Sequence, residues 1–214
     1  MTDVCEPTKG RKPSAPRRAT LPQILNAAEW TFGTRGLKGA RVEEIAALCA
    51  IPKANILYYF RTKEDLYQAT LARLLEIWLA DADDWLAAER DPLEGMEGYI
   101  RAKMAFSRTR PEGSRLFAQE LLSGGLMIQA SSEKRCALMS IVMPRFFLTG
   151  RHKLMRPIDP THFLCLLWSG TQAYADMQVQ FEALLDRTTL RDSDYETGIA
   201  TFMTLIRPLF VRAD

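Results

Sequence analysis

Seven side chains between residues 41 and 63 have the types and spacing to grip a nucleic acid: Arg41, Lys53, Ala54, Asn55, Tyr58, Tyr59 and Lys63. Lys53, Ala54 and Asn55 open a short helical stretch and would approach base edges. An asparagine can bond adenine through two hydrogen bonds, and an alanine can touch a thymine methyl. Tyr58 and Tyr59 would reach phosphates through their hydroxyls, while Arg41 and Lys63 would add positive charge. One of the tyrosines, Tyr59 more readily than Tyr58, has the alternative of packing in the core behind Phe60.

A second constellation lies far downstream. Trp168, Thr171, Gln172 and Asp176 recur at helical spacing on one side of an otherwise apolar stretch. Three of the four are polar, and polar groups that are buried need partners. An indole to stack on and a carboxamide that both donates and accepts would suit a flat heterocycle with amide-like edges. Trp78 and Phe117 would supply further walls, and Arg115 or Gln119 a further polar contact. The alternative is a core tryptophan with its glutamine bonded to backbone. Catalytic chemistry finds no support. His152 and His162 stand apart without a nucleophile signature, and the chain has no glycine-rich phosphate loop, metal-ligand spacing or nucleophile elbow. Glu43-Glu44, Glu64-Asp65 and Asp83-Asp84 read as solvated faces or helix-end charges. Neither enzyme activity, a cofactor nor a metal is expected.

The elements that must position these residues are all helical. Val42, Ile45, Ala46 and Cys49 repeat with helical period, Ala50-Ile51-Pro52 interrupts them, and Ile56, Leu57 and Phe60 mark a second short helix. Proline cannot continue a helix but fits the first turn of a new one. Two short helices across a three- to four-residue turn make a helix-turn-helix, whose second helix can lie in a DNA major groove. Thr62, followed by Glu64 and Asp65, predicts an N-cap with an acidic first turn. Upstream, Leu21, Ile24, Leu25, Ala28 and Phe32 mark a supporting helix ending near Gly36, with Gly36 and Gly39 around a turn.

Residues 1–19 carry Pro7, Pro13, Pro16 and five Lys/Arg, which predicts a basic arm without a core, either a solvated tail or an extra phosphate contact. Beyond Lys63 a long helix is predicted to about Glu89. Further helices follow at about 93–108, with Met96, Ile100, Met104 and Ala105 as its stripe, at 114–122, and at 133–148, where Pro144 should kink or end it. Asp159-Pro160 starts a helix running to about Leu185 whose apolar residues wrap nearly all round, predicting burial on more than one side. The last helix is expected at about 194–210. The two C-terminal helices are more apolar than one small core needs. A second copy of the chain would bury the surplus; a monomeric core is the alternative.

This gives an all-α protein of about nine helices in three parts: a basic arm (1–19), a helix-turn-helix DNA-binding domain (20–67) and a ligand-binding and dimerisation domain (68–214). Residues 1–67 hold eleven Lys/Arg against seven Asp/Glu, a net of +4, and the remainder seventeen against nineteen, a net of −2. The positive end is the helix-turn-helix end, as an anionic partner requires. No run of 18 uncharged apolar residues occurs, so no membrane span is expected. The basic N-terminus lacks the apolar stretch of a secretory leader. Cys5, Cys49, Cys136 and Cys165 lack metal or redox spacing, and two lie in apolar helical runs that suggest buried thiols. A cytoplasmic protein is expected.

The stretch IPKANILYYFRTKEDLY (51–67) resembles the recognition helix and fourth-helix start of the TetR family of bacterial transcription regulators. LLEIWLA (74–80), EGYIRAKMAFSRTRPEGSRLFAQELLSG (97–124) and PIDPTHFLCLLWSGTQAYADMQVQFEAL (157–184) are similar to the RutR-like regulators of pyrimidine metabolism. The resemblance implies a homodimer that binds a palindromic operator, usually as a repressor, and a pyrimidine-like effector such as a uracil- or thymine-like base. It favours a ligand role for Trp168 and Gln172. It also makes the fourth helix the transmitter between the two sites. Three positions depart from the family pattern. Ala50-Ile51-Pro52 stands where Gly-Val-Ser is frequent, Leu57 where tyrosine is frequent, and Arg41 where a capping threonine is frequent. A different inducer, such as a drug or lipid, and a ligand-independent DNA binder are the remaining readings.

Overall fold

The computed structural model describes residues 21–87, 89–127 and 158–210. The expected basic arm and the 133–148 helix lie outside them. Among the described residues the secondary structure is helical throughout: α1 (Leu21–Gly39), α2 (Val42–Leu48), α3 (Lys53–Tyr59), α4 (Lys63–Trp85), α5 (Pro92–Thr109), α6 (Pro111–Leu122), α7 (Pro160–Asp176), α8 (Gln178–Leu184) and α9 (Asp192–Ile206), closed by a 3-10 turn at Arg207–Phe210. None of these helices is long and apolar enough to cross a membrane.

Local chemistry explains most helix starts. Thr62 Oγ1 accepts from the Asp65 amide while the Asp65 carboxylate accepts from the Thr62 amide, a reciprocal capping box. Asp91 and Asp159 cap α5 and α7, each with proline at the first helical position. Pro111 does the same for α6, which therefore begins three residues before the expected Ser114. Gly36 (φ 65°) ends the regular part of α1.

Four expectations are corrected. Helix α4 stops at Trp85 rather than Glu89. The single helix expected to Leu185 breaks at Met177 (φ −116°, ψ 27°), giving α7 and α8 without a glycine or proline to announce it. Leu57 and Ala105 face solvent rather than core. Cys49 is half-buried and Cys165 exposed, so neither is an enclosed core thiol.

Two apolar clusters form. One joins α1, α2, α3, the first half of α4 and parts of α5 and α6, around Phe32, Ile45, Ile56, Leu66, Leu71 and Trp78. The other joins the end of α4 with α5, α7 and α9, around Met96, Tyr99, Ile100, Leu167 and Ile199. The three N-terminal helices do not stand apart from the rest, because α1 packs closely along α6. At Gly33 a Cβ would fall 2.2 Å from the Glu112 carbonyl oxygen, so only glycine permits this approach. Beside it Glu29, 5% exposed, takes hydrogen bonds from Arg73 of α4 (2.8 Å) and from Arg110 before α6. Gln119 Nε2 donates to the Gly33 carbonyl at 3.1 Å, and the buried Tyr67 hydroxyl donates to Glu120 at 3.0 Å.

Candidate functional site

The helix-turn-helix is built on a left-handed Ala50 (φ 53°) that reverses the chain, after which the Ile51 amide bonds back to the Ala46 carbonyl at 3.0 Å. Ile51 is buried and anchors the turn. Pro52 stands one residue before α3 as its N-cap and offers no side-chain cap. Ile56 is the one buried residue of α3, so the remaining faces of that helix are presented outward. Lys53 and Ala54 are exposed, Asn55 is half-exposed, and its carboxamide has no intramolecular partner among the described residues. Tyr58 is 84% and Tyr59 47% exposed, with their rings edge-on at 5.4 Å. The core placement left open for these tyrosines is thereby ruled out.

The basic residues differ in their freedom. Arg41 begins α2, is exposed and makes no capping bond. The Lys53 ammonium sits 2.7 Å from Glu43, whose carboxyl it holds below the usual range. Both groups are about half exposed or more, so this pair is readily exchanged for a phosphate. Lys63 donates to the Ala40 carbonyl at 3.2 Å and so braces the start of α4 against the turn before α2.

The second group of residues is spread over α4, α6 and α7, with Trp78 in the first apolar cluster and Trp168 packed against the second. Trp78 is 7% exposed and touches Phe106 and Phe117 edge-on, with centroids at 5.2 and 4.6 Å. Its indole N–H is buried and has no hydrogen-bond partner among the described residues. Trp168, half-buried on α7, donates from Nε1 to the Tyr99 hydroxyl at 2.8 Å. Gln172, one turn further, is half-exposed and its side chain has no partner among the described residues. Thr171 is fully buried, but its hydroxyl bonds back to the Leu167 carbonyl and its own carbonyl accepts from Ser107. Asp176 is exposed at the residue level and accepts from Ser114 at 3.0 Å; partial removal from water raises its carboxyl, against the pull of Ser114, Arg115 and Lys103.

Not all the expected ligand residues come together. Arg115 is spent on the Ala175 carbonyl and Gln178 at the α7–α8 break. Gln119 points away from the tryptophans to Gly33 of α1, where it ties two regions of the chain rather than facing a ligand.

Two residues that pattern reading passed over complete the site. Lys103 is 3% exposed, and its ammonium lies 4.0 Å from the centre of the Trp78 ring. Burial draws its pKa down to about 7, opposed by the nearby carboxylates of Asp81 and Asp176. It makes no hydrogen bond or ion pair with a described residue. Tyr99 is also buried, and burial raises its hydroxyl pKa well above the usual phenol range. The signal was present in spacing: Lys103 falls seven residues after Met96, on the same apolar stripe, where a charged residue is out of place.

A three-helix head with an outward recognition helix, joined through α4 and α6 to a helical body with a polar interior, defines a class of bacterial regulator. Residues 24–70 match the family described as "Bacterial regulatory proteins, tetR family", and residues 71–211 match "YcdC-like protein, C-terminal region". The chain belongs to the TetR family and is a DNA-binding transcriptional regulator. It is 39% identical over 199 residues to the HTH-type transcriptional regulator RutR of Escherichia coli K12, an alignment covering 90% of each protein. Among solved structures it is similar to AibR, crystallised with isovaleryl coenzyme A and operator DNA (TM-score 0.67, 18% identity, 88% of this chain and 98% of that one). It is likewise similar to the ketosteroid transcriptional regulator KstR2 of Mycobacterium tuberculosis (TM-score 0.68, 17% identity, 89% and 95%). At these identities the two structures speak for the fold alone.

Proposed function

We propose that the protein is a homodimeric, ligand-responsive repressor that leaves a palindromic operator when a small planar ligand, a pyrimidine or related base, enters between Trp78 and Trp168. The observation that carries the ligand-responsive part is the buried indole N–H of Trp78, which has no partner among the described residues and lies where α4, α5 and α6 meet. A buried donor without an acceptor is costly, and a ligand carbonyl would relieve it. The RutR-like character of the stretches holding Trp78, Trp168 and Gln172 favours a pyrimidine. Its planar amide edge would suit the Gln172 carboxamide, which donates and accepts.

On DNA, Asn55, Lys53 and Ala54 would read bases, with Tyr58, Tyr59 and Arg41 on phosphates. Lys63 would add charge once it leaves Ala40. Dimerisation would use the outer side of α7 to α9, where Leu166, Val179, Leu184 and Leu205 are 69–78% exposed and Leu205 lines a groove of about 450 Å³ with Tyr174, Phe181 and Phe202. Such a patch is more apolar than a monomer usually leaves open. Ligand and operator would then compete by preferring different spacings of the two recognition helices. Helix α4 would carry the change, since it runs from Lys63 at the DNA face to Trp78 at the ligand.

A thermal-shift screen of nucleobases and nucleosides, followed by operator release in a mobility-shift assay, tests this reading. A pyrimidine should raise the melting temperature and release the operator. Trp78→Ala and Trp168→Ala should abolish release and keep DNA binding. Undiminished release by both variants would place the ligand elsewhere.

A further inference from the structure

The groups around Trp78 are unbalanced in one direction. Three buried side chains offer protons that nothing among the described residues accepts: the Trp78 indole N–H, the Lys103 ammonium and the Tyr99 hydroxyl, whose oxygen is already an acceptor for Trp168. Three of the polar groups nearby are already engaged, while the Asp81 carboxylate and the Gln172 carboxamide have no hydrogen-bond partner among the described residues. Asp176 accepts from Ser114, the Thr171 carbonyl accepts from Ser107, and the Thr171 hydroxyl is turned back onto its own helix. Asp81 and Asp176 act on Lys103 across a distance but form no ion pair with it. The face of Trp78 gives the ammonium some attraction, yet a ring face does not replace a hydrogen-bonding anion.

We propose that this site selects a planar ligand bearing a negative charge on oxygen, a ring carboxylate or an ionised ring amide, with Lys103 as its counter-ion and Trp78 and Tyr99 as neutral donors. The proposal rests on the reading that the space between the two tryptophans holds the effector, and it names the charge state of that effector. A charge-assisted hydrogen bond formed out of water discriminates against the neutral ligand by roughly ten- to a hundredfold. The charged and titratable neighbours are Asp81 from α4, Tyr99 from α5, and Asp176 from α7, the last also under the influence of Arg115 from α6. With Lys103 largely neutral above pH 7, binding an anion there brings a proton with it.

Calorimetric titration of the full chain at pH 8 tests this, using uracil, 5-fluorouracil (whose ring N–H is more acidic), uracil-6-carboxylate and benzoate. In wild type the carboxylate or the more acidic base binds about tenfold or more tighter than uracil, and Lys103→Met removes that preference. Repeating the wild-type titration in two buffers of different ionisation enthalpy reports close to one proton taken up for a carboxylate, independently of any variant. Uracil binding as tightly as the anions, or a preference that survives Lys103→Met, overturns the charge assignment and leaves the pyrimidine reading intact. Benzoate binding in a Lys103-dependent way while every pyrimidine fails keeps the charge assignment and overturns the pyrimidine. If none binds, both fall.

Discussion

Replacing Lys103 with methionine should make the unliganded protein more stable, against the usual sign of a core substitution. Burial takes the ammonium pKa from 10.5 to about 7. Each unit corresponds to about 1.4 kcal/mol, so at pH 7 the lysine destabilises the fold by on the order of 4 kcal/mol. Methionine fills a similar volume without a charge. Subtracting about 1 kcal/mol for the lost contact with the Trp78 ring leaves a gain of roughly 3 kcal/mol. The sign with pH follows from proton counting. Between pH 7 and 10.5 the unfolded chain binds the Lys103 proton and the folded one does not, so wild-type stability rises with pH across that window. From pH 7 to 9 this amounts to roughly 2 kcal/mol, which Lys103→Met should lack. Urea unfolding of both proteins at pH 7 and pH 9, at one fixed protein concentration, measures the difference. Equal slopes with pH, or a variant less stable than wild type at pH 7, would falsify the burial argument for this residue.

Two further substitutions address the other end of the molecule. Glu29→Gln leaves Arg73 and Arg110 facing a neutral amide in a site where the carboxylate is 5% exposed, and should cost about 3 kcal/mol in urea unfolding; a loss below about 1 kcal/mol would show the cluster to be solvated. Asn55→Ala should weaken operator binding by about 1–3 kcal/mol and leave random-sequence DNA nearly unaffected at the same salt, and an equal loss on both would remove the residue from base reading.

The helical architecture was legible because its signals are local. The Thr62 cap depends on Thr62 and Asp65 alone, and the starts of α5 and α7 depend on Asp91-Pro92 and Asp159-Pro160. The break at Met177 was not legible. No residue there is a helix breaker, and Arg115 reaches from α6 to both sides of it, bonding Ala175 and Gln178. The outward face of α3 could be read from Ile56 and Phe60, whereas Leu57 lies exposed. Trp168 was placed near the polar interior, but its partner Tyr99 belongs to another helix and no spacing within α7 points to it. Glu29 and Lys103 went unread for one reason. Each lies on an apolar stripe, where a charged side chain is ordinarily assigned to the flank, and only the packing of α6 on α1, or of α5 against Trp78, shows it to be enclosed.

The closeness of α1 to α6 bears on how exchangeable the DNA-reading head is. Regulators with a helix-turn-helix head invite the idea that heads and bodies can be recombined at the boundary near residue 67 to rewire an operator to a new signal. In this chain the cut would sever Glu29 from both of its arginines and Gly33 from the backbone it lies against. A borrowed body would have to bring a cation to Glu29 and a flat helix surface to Gly33, or the hybrid would carry a buried charge without a counterpart. Heads should therefore transplant among bodies only together with Arg73 of α4, Arg110 and α6, and natural shuffling of this lineage should have moved them as one inherited piece.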